Sequence, residues 1–497
     1  MTPLLLLATS LLFVLIYSLS PLLSKDTLPG PLYARLTSLV LKYHEFTATR
    51  TSYIHSLHLR YGPVVRVAPN EVAFASAAAV KEIYCSNGSG YDKTEWYDLF
   101  KVYDRRTMFT TLGKGEHAKR KRVLADRYAN SNIVKGGVIE GIKERARVFG
   151  GLCEKAGREG VDLYISDNNN NNNTVLHAYA FDCVTLHLFH PYSTSSLTNS
   201  KDSEIMLEVT FDSSLQNRLL SHYSPPLHRL LNTLLSSLLS LKPRETPLAD
   251  HFVLDTAALQ ANLSPFTLLH RLHHDLPPNS SLDQTDKAAE CLDHMAAGID
   301  TTGDALCFLI WELSQPSSLP CQRRLQQELR SSTPDTPIEK LAYLDAVIME
   351  GLRMFPAIPM SLPRYVPAGG RTIGGYKIPG GTIVSGQAYS VQRLGPEHGG
   401  VFEEPERFRP ERWLEGDEEK DRERRRSFFA FSQGGRGCIG KHLALAEMKC
   451  LLWEVYSKFT TLPDPRMKAE EMEMADLLVS SRPAGQRCLV RFEKLIS

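Results

Sequence analysis

Phe431-Ser432-Gln433-Gly434-Gly435-Arg436-Gly437-Cys438-Ile439-Gly440, running straight into a helical pattern from Lys441 to Phe459, decides how the rest of the chain is read. It sets one cysteine in a glycine-rich loop at the start of a helix. Gly434, Gly435, Gly437 and Gly440 carry no Cβ, so the backbone can turn sharply and come close to a flat ligand. The start of the following helix aims free N–H groups and a positive dipole end at the sulfur, which lowers a thiol's pKa and favours the metal-binding thiolate. Three plainer readings compete. A lone cysteine can be a small buried apolar residue. A zinc site needs partners, and only His442 is near, with no C-x-x-C pair in the chain. A disulfide is disfavoured because the nine cysteines are odd in number and scattered without paired spacing, as suits a reducing compartment.

The chain has 497 residues and a formal net charge of +1. Nothing global in that balance points to nucleic acid. The N-terminus differs from the rest: LLLLATSLLFVLIYSLSPLL, residues 4–23, is uncharged and about as long as a bilayer-spanning helix. No Lys or Arg precedes it and no small-residue cleavage site closes it, so a retained anchor over 1–24 is expected rather than a signal peptide. Lys25 and Arg35 follow the span, which puts the remaining domain, 25–497, on the cytosolic side. Leu28-Pro29-Gly30-Pro31 reads as a stiff elbow after it. The asparagine run 168–173 cannot pack a core and reads as a surface insertion. Sequons at Asn87, Asn172, Asn262 and Asn279 are expected to stay unmodified in the cytosol.

The fixed positions Phe431, Gly434, Arg436, Cys438 and Gly440 resemble the heme-binding signature of the cytochrome P450 family, F-x-x-G-x-R-x-C-x-G, at every point. The resemblance implies a mainly α fold with small β-sheets. It implies heme b with Cys438 as axial thiolate, Arg436 on a heme propionate, and Phe431 packed beside the sulfur. The wording YGPVVRVAPNEV, residues 61–72, is that of fungal members, and its turns and alternation read as a hairpin. His117 and Lys121, one helical turn apart in a basic helix opening at Gly115, fall where the family places propionate contacts. Lys cannot fork onto a carboxylate as Arg does, so Arg120 or Arg122 is expected to share that duty.

Lys287 to Gln315 reads as one long apolar helix stopped by Pro316. In its middle, Ala296-Ala297-Gly298-Ile299-Asp300-Thr301-Thr302 places an acid and two hydroxyls in an otherwise buried element. The plain reading is a solvent-facing polar stripe. The resemblance is to the family's oxygen-binding motif, which makes Thr301 the proton-delivering hydroxyl, Asp300 its feeder, Ala297 a pocket wall and Gly298 the residue that widens the helix groove. Glu350 and Arg353 share a three-residue spacing with Glu404/Arg407, Glu419/Arg422 and Glu423/Arg426, so spacing alone says little. Their order before Pro363-Arg364, Pro405-Glu406-Arg407-Phe408 and Cys438 matches the family. That match makes Glu350, Arg353 and Arg407 a structural charge triad and Arg364 a second propionate ligand. Tyr376 to Val391 reads as paired strands turning at Pro379-Gly380-Gly381.

Segments corresponding to the family's substrate cavity are 96–100, the 193–241 lid, Ala297, 357–362 with Ile358, Pro359 and Met360, and 477–479 with Leu478. They are overwhelmingly apolar and imply a hydrophobic small molecule. The resemblance further implies a monomeric enzyme of the endoplasmic reticulum membrane. Its electrons would come from NADPH through a flavoprotein reductase, with cytochrome b5 as a further donor, docking on basic residues that include 422–426. A fungal secondary-metabolite monooxygenase is the leading expectation. A heme-thiolate coupling oxidase, isomerase or dehydratase is the alternative, and a non-catalytic heme protein the remotest.

Overall fold

The computed structural model describes residues 28–156, 161–163, 175–210, 214–239, 245–276, 282–333 and 336–495. The expected anchor, the asparagine run, and the sequons at Asn172 and Asn279 lie outside these residues. Among the described residues no helix is long and apolar enough to cross a membrane. The elbow after the expected anchor is part of the folded domain: Leu28 is buried, and the Arg66 amide donates to the Pro29 carbonyl at 2.8 Å.

The architecture is mostly helical with small sheets. The helices that build the site are α1 (Lys114–Leu124), α2 (Val175–Phe189), α3 (Ser200–Thr210), α4 (Leu215–Tyr223), α5 (Gln284–Ser314), α6 (Ala342–Met354), α7 (Glu418–Ser427) and α8 (Lys441–Tyr456). α5 is the axis of the core, 31 residues or about 46 Å long. It begins one turn earlier than its apolar pattern predicts, because Asp283 and Asp286 form a reciprocal capping box, each side chain accepting the other's amide. α2 lies along it and is buried on every face from Leu176 to Phe189. Gly298 and Gly303 admit this approach. A Cβ at Gly298 would lie 2.7 Å from Val184, and one at Gly303 2.8 Å from the His177 ring. Gly298 is therefore a helix-packing position, and it also lines the cavity beside α5.

The five-stranded sheet uses β1 (Val64–Ala68), β2 (Glu71–Phe74), β3 (Asp92–Lys93), β4 (Arg364–Tyr365) and β5 (Ile383–Gly386), in the order β1-β2-β5-β4-β3. The β1–β2 hairpin forms as its turn residues predict. The second hairpin does not. Tyr376–Ile378 pairs with Arg371–Ile373, while β5 crosses to run parallel to β2 and antiparallel to β4. Long-range pairing of this kind has no local signature. Its consequence is specific: in the β3–β4 register Lys93 stands opposite Arg364, two cations brought together from residues far apart in sequence. The 193–241 lid resolves into α3, α4 and a further helix, Pro225–Leu239.

Candidate active site

A cavity of about 360 Å³ is walled by α5, by the cysteine loop with the start of α8, and by the loops at 357–362 and 477–480. Cys438 opens onto it. The loop is folded back on itself by the Cys438 amide donating to the Phe431 carbonyl at 2.9 Å. It is also pressed against a neighbouring segment. Gly434 has φ +70°, and a Cβ there would sit 2.2 Å from the Tyr84 carbonyl, so this glycine is required by packing, and its nearest neighbour is protein backbone. Gly437 and Gly440 are the loop glycines in the cavity wall, beside Phe431, Arg436 and Cys438.

The Cys438 sulfur is reachable from the cavity yet enclosed by protein. Enclosure dominates its acidity and raises the thiol pKa, against the pull of the Gly440 and Lys441 amides and the charges of Lys121 and Lys441. The helix start thus works in the expected direction but is outweighed. A full thiolate here needs a further positive charge, which a metal ion supplies, since a coordinating thiol is deprotonated outright.

At one end of the same cavity Lys93, His117, Arg364 and Arg436 converge, all buried. Their repulsion is legible in their acidities. Burial and then Arg364 and Arg436 push the Lys93 ammonium well below its usual range. Burial, then Lys93 and Arg436, lower His117 to about 3, and burial with Arg364 lowers Arg436 to about 10. Arg364 donates to the Tyr97 hydroxyl at 2.5 Å and to the Pro363 carbonyl at 2.8 Å. Arg436 reaches Asp92 at 3.2 Å, while its Nε and Nη1 are buried without a partner. Buried cations with orphaned donors are costly, and a ligand with two carboxylates would settle them. Heme, with its two propionates and its thiolate-seeking iron, fits this donor set.

Lys121 acts on Lys93 and His117 from the edge of that cluster, but its hydrogen bonds go elsewhere. Its Nζ donates to the Gly435 and Gly437 carbonyls at 3.0 and 2.7 Å, bracing the cysteine loop from below. Nor do its neighbours replace it. Arg120 is committed to Glu290, at 2.6 Å, and Arg122 turns back to its own helix at Ala118. The further basic residue in the cavity wall is Lys93. It is a cation on a two-residue strand that no periodicity could single out.

On α5, Ala297, Asp300 and Thr301 face the cavity. The Thr301 hydroxyl donates to the Ala297 carbonyl at 2.6 Å, one turn back. Against α5, Glu447 of α8, missed from the sequence, stands fully buried. Desolvation lifts its pKa to about 8 against a hydrogen bond from Thr302. The substrate side is apolar: Val209, Leu215, Leu352, Ala357, Ile358, Leu362, with Leu477 and Leu478 in the far loop. Ile358 and Leu478 stand in the wall as expected. Pro359 and Met360 do not; both are buried in the protein behind it.

The charge triad is real but differently composed. Arg353 forks onto Glu350 at 2.9 and 3.0 Å, and the third member is Arg412, whose Nε is 2.9 Å from Glu350. Arg407 points outward to Glu404 and supplies only its carbonyl, accepting from Arg353 and Arg412. The 3-10 turn Pro410–Trp413 that follows it carries the inward arginine.

Residues 28–489 match the family model described as Cytochrome P450. Similar chains include the cytochrome P450 monooxygenase stcB of Emericella nidulans, 28% identical over 93% of this chain and 87% of the relative. Another is cypX of Dothistroma septosporum, 28% identical over 93% and 90%. A third is esdpH of Penicillium shearii, 30% identical over 86% of each. The last two also carry the description cytochrome P450 monooxygenase.

Proposed function

The chain belongs to the cytochrome P450 family of monooxygenases, and from that premise we propose a membrane-anchored heme-thiolate enzyme that oxidises a hydrophobic small molecule in fungal secondary metabolism. One observation carries the reading: the Cys438 sulfur, the four buried basic side chains and the Asp300–Thr301 pair all open onto one cavity. Cys438 would ligate the iron, and Arg436, Arg364, His117 and Lys93 would hold the propionates. Heme bound there supplies the activation of dioxygen. The remaining work belongs to side chains. Thr301 and Asp300 present a hydroxyl and a half-buried carboxyl to the cavity, so a proton can be handed on from α5. The apolar wall from Leu352 to Leu478 excludes water and fixes the substrate by shape.

Anchoring through residues 4–23 would place the enzyme on the cytosolic face of the endoplasmic reticulum. Electrons would come from NADPH through a flavoprotein reductase, with cytochrome b5 as a further donor. The docking surface is narrower than the arginine run suggests. Arg425 is spent on Asp421 within α7, and Arg424 on the Glu415 carbonyl. The approach would rely on Arg426 and Lys441 around the cysteine side.

The test is the spectrum of the reduced, carbon-monoxide-bound protein beside that of Cys438→Ala. A strongly red-shifted Soret band lost in the variant is expected. Histidine-type absorbance, or no heme uptake, would overturn the reading. Loss of one substrate's oxygenated product from cells lacking the enzyme would then name the substrate.

A further inference from the structure

On α5, some two turns before the Asp300–Thr301 pair, Glu290, Asp293 and His294 converge. Their spacing of three and four residues puts them on one helix face, and the ligand atoms they offer all lie within 4.8 Å of one another. Nε2 of His294 is 3.7 Å from Oε2 of Glu290. Asp293 and His294 line the cavity, while Glu290 is fully enclosed beside them.

The surroundings hold each of the three groups and leave each with a free acceptor position. The Tyr128 hydroxyl meets Nδ1 of His294 at 2.6 Å, which fixes the ring. In the tautomer that donates from Nδ1 to the Tyr128 oxygen, Nε2 presents a lone pair toward the carboxylates. That Nε2 has no hydrogen-bond partner, although the side chain is only 5% exposed. Arg120 donates to Oε1 of Glu290 at 2.6 Å and the Met108 amide to Oε2 at 3.1 Å, so Oε2 keeps a lone pair. Asp293 accepts from the Thr107 side chain and the Phe109 amide, and a carboxylate has about four such positions. Lys93, which acts on Asp293, donates to the Phe109 carbonyl. A buried nitrogen lone pair facing two carboxylates is unfavourable unless a cation lies between them.

We propose that Glu290, Asp293 and His294 bind one divalent cation of the zinc class, with a coordination position left facing the cavity. One imidazole nitrogen and two carboxylate oxygens suit zinc, and three protein ligands leave a fourth place for water or an oxygen of the substrate. Zinc bonds of about 2.0–2.2 Å put its ligands about 3.3 Å apart, so the group contracts by no more than about 1.5 Å, within the reach of side-chain torsions. The cation balances two carboxylates that otherwise share the Arg120 guanidinium. None of the three ligands is among the residues assigned to heme, so the proposal stands apart from the monooxygenase reading.

The test uses the heme-loaded protein, in which Cys438 is occupied and cannot take zinc itself. After equilibrium dialysis against micromolar zinc, one zinc per chain should be retained. Its affinity should fall at least tenfold in Asp293→Asn and in His294→Gln, accepting only variants that keep the thiolate Soret band. Unchanged affinity in either folded variant would place the ion elsewhere, on histidines such as His270 and His274, and overturn the proposal, as would a native chain that retains no zinc. X-ray absorption at the zinc edge needs no variant: one imidazole nitrogen with oxygens completing the shell is expected, and sulfur or a second imidazole would overturn the assignment. Should the chain take up no heme, the monooxygenase reading fails, while the same dialysis and spectrum on Cys438→Ala still decide the zinc site.

Discussion

Two clusters of buried charge, one around Glu350 and one in the cavity, differ in whether they are finished. The first surrounds Glu350. Both carboxylate oxygens are used, by the Arg353 fork, the Arg412 Nε, the Trp413 indole and the Arg409 amide, and Arg353 spends its remaining donor on the Gln392 and Pro405 carbonyls. The second gathers Lys93, His117, Arg364 and Arg436, with Arg436 paired to Asp92, and leaves two Arg436 nitrogens unsatisfied. A cluster that closes on itself is architecture, whereas one that stays cationic and under-bonded in a dry cavity is shaped for something the chain does not contain.

The largest effect should come from opening the closed cluster. Glu350→Ala leaves Arg353 and Arg412 as buried, unpaired charges, a loss of about 3–5 kcal/mol, with or without heme. Urea unfolding of both forms measures it. A loss under about 1 kcal/mol, or one confined to the heme-loaded form, would erase the distinction between the clusters.

The open cluster should instead reveal itself through pH. His117 falls to about 3 in the folded chain from an ordinary 6.5, so below 6.5 the unfolded chain takes up a proton that the folded one refuses. Stability is therefore full above 6.5 and declines as pH falls toward 3, by up to about 5 kcal/mol. That sensitivity belongs to the heme-free protein. Two propionates beside His117 would raise its folded pKa and shrink the loss, so thermal unfolding with and without heme should diverge between pH 6 and 4. Parallel curves would mean that no anionic ligand neutralises the cluster.

Next in size, Lys93→Met should weaken heme retention by roughly tenfold, the scale of one lost charged hydrogen bond. The same change should leave the heme-free protein as stable or slightly more so, because it removes a cation facing Arg364. Heme transfer to a scavenger globin and heme-free melting temperature report the two halves. A heme-free protein destabilised as much as the loaded one would make Lys93 ordinary structure.

What could be read from the sequence follows the range of the forces involved. The cysteine loop, the α5 motif and the Glu350–Arg353 spacing are local, carried by residues within a few turns, and each lies where its pattern puts it. Failures occur where a partner arrives from far away in the chain. Lys93 becomes a site residue only through the β3–β4 register, β5 pairs with β2 across more than the width of a local hairpin, and Lys121 is drawn off by carbonyls of the loop it was expected to serve alongside. Gly434 was recognised as special, but for a ligand, where the close neighbour is another segment of protein, while Gly298 serves helix packing and the cavity wall together. Pro359 and Met360 show the limit at the scale of one residue: an apolar loop was placed correctly, while which of its side chains faces inward depends on turns that composition does not encode.

The smallest predicted effect is the one that tests this lesson most directly. Glu404/Arg407 and Glu350/Arg353 have the same spacing, and only burial separates them. The Arg407–Glu404 pair is exposed on both sides, at 3.3 Å with side chains 67% and 56% accessible, where solvent screens an ion pair and side-chain entropy offsets what remains. Arg407→Ala should therefore change stability by no more than about 0.5 kcal/mol, since the Arg407 carbonyl that serves Arg353 and Arg412 survives the substitution. Arg412→Ala, five residues on, should cost several times that by stripping a buried partner from Glu350. Denaturant midpoints of the two variants decide between the assignments. A large loss from Arg407→Ala with a small one from Arg412→Ala would restore the arginine that the motif names and would mean that the turn at Pro410–Trp413 does not hold Arg412 against Glu350 in solution.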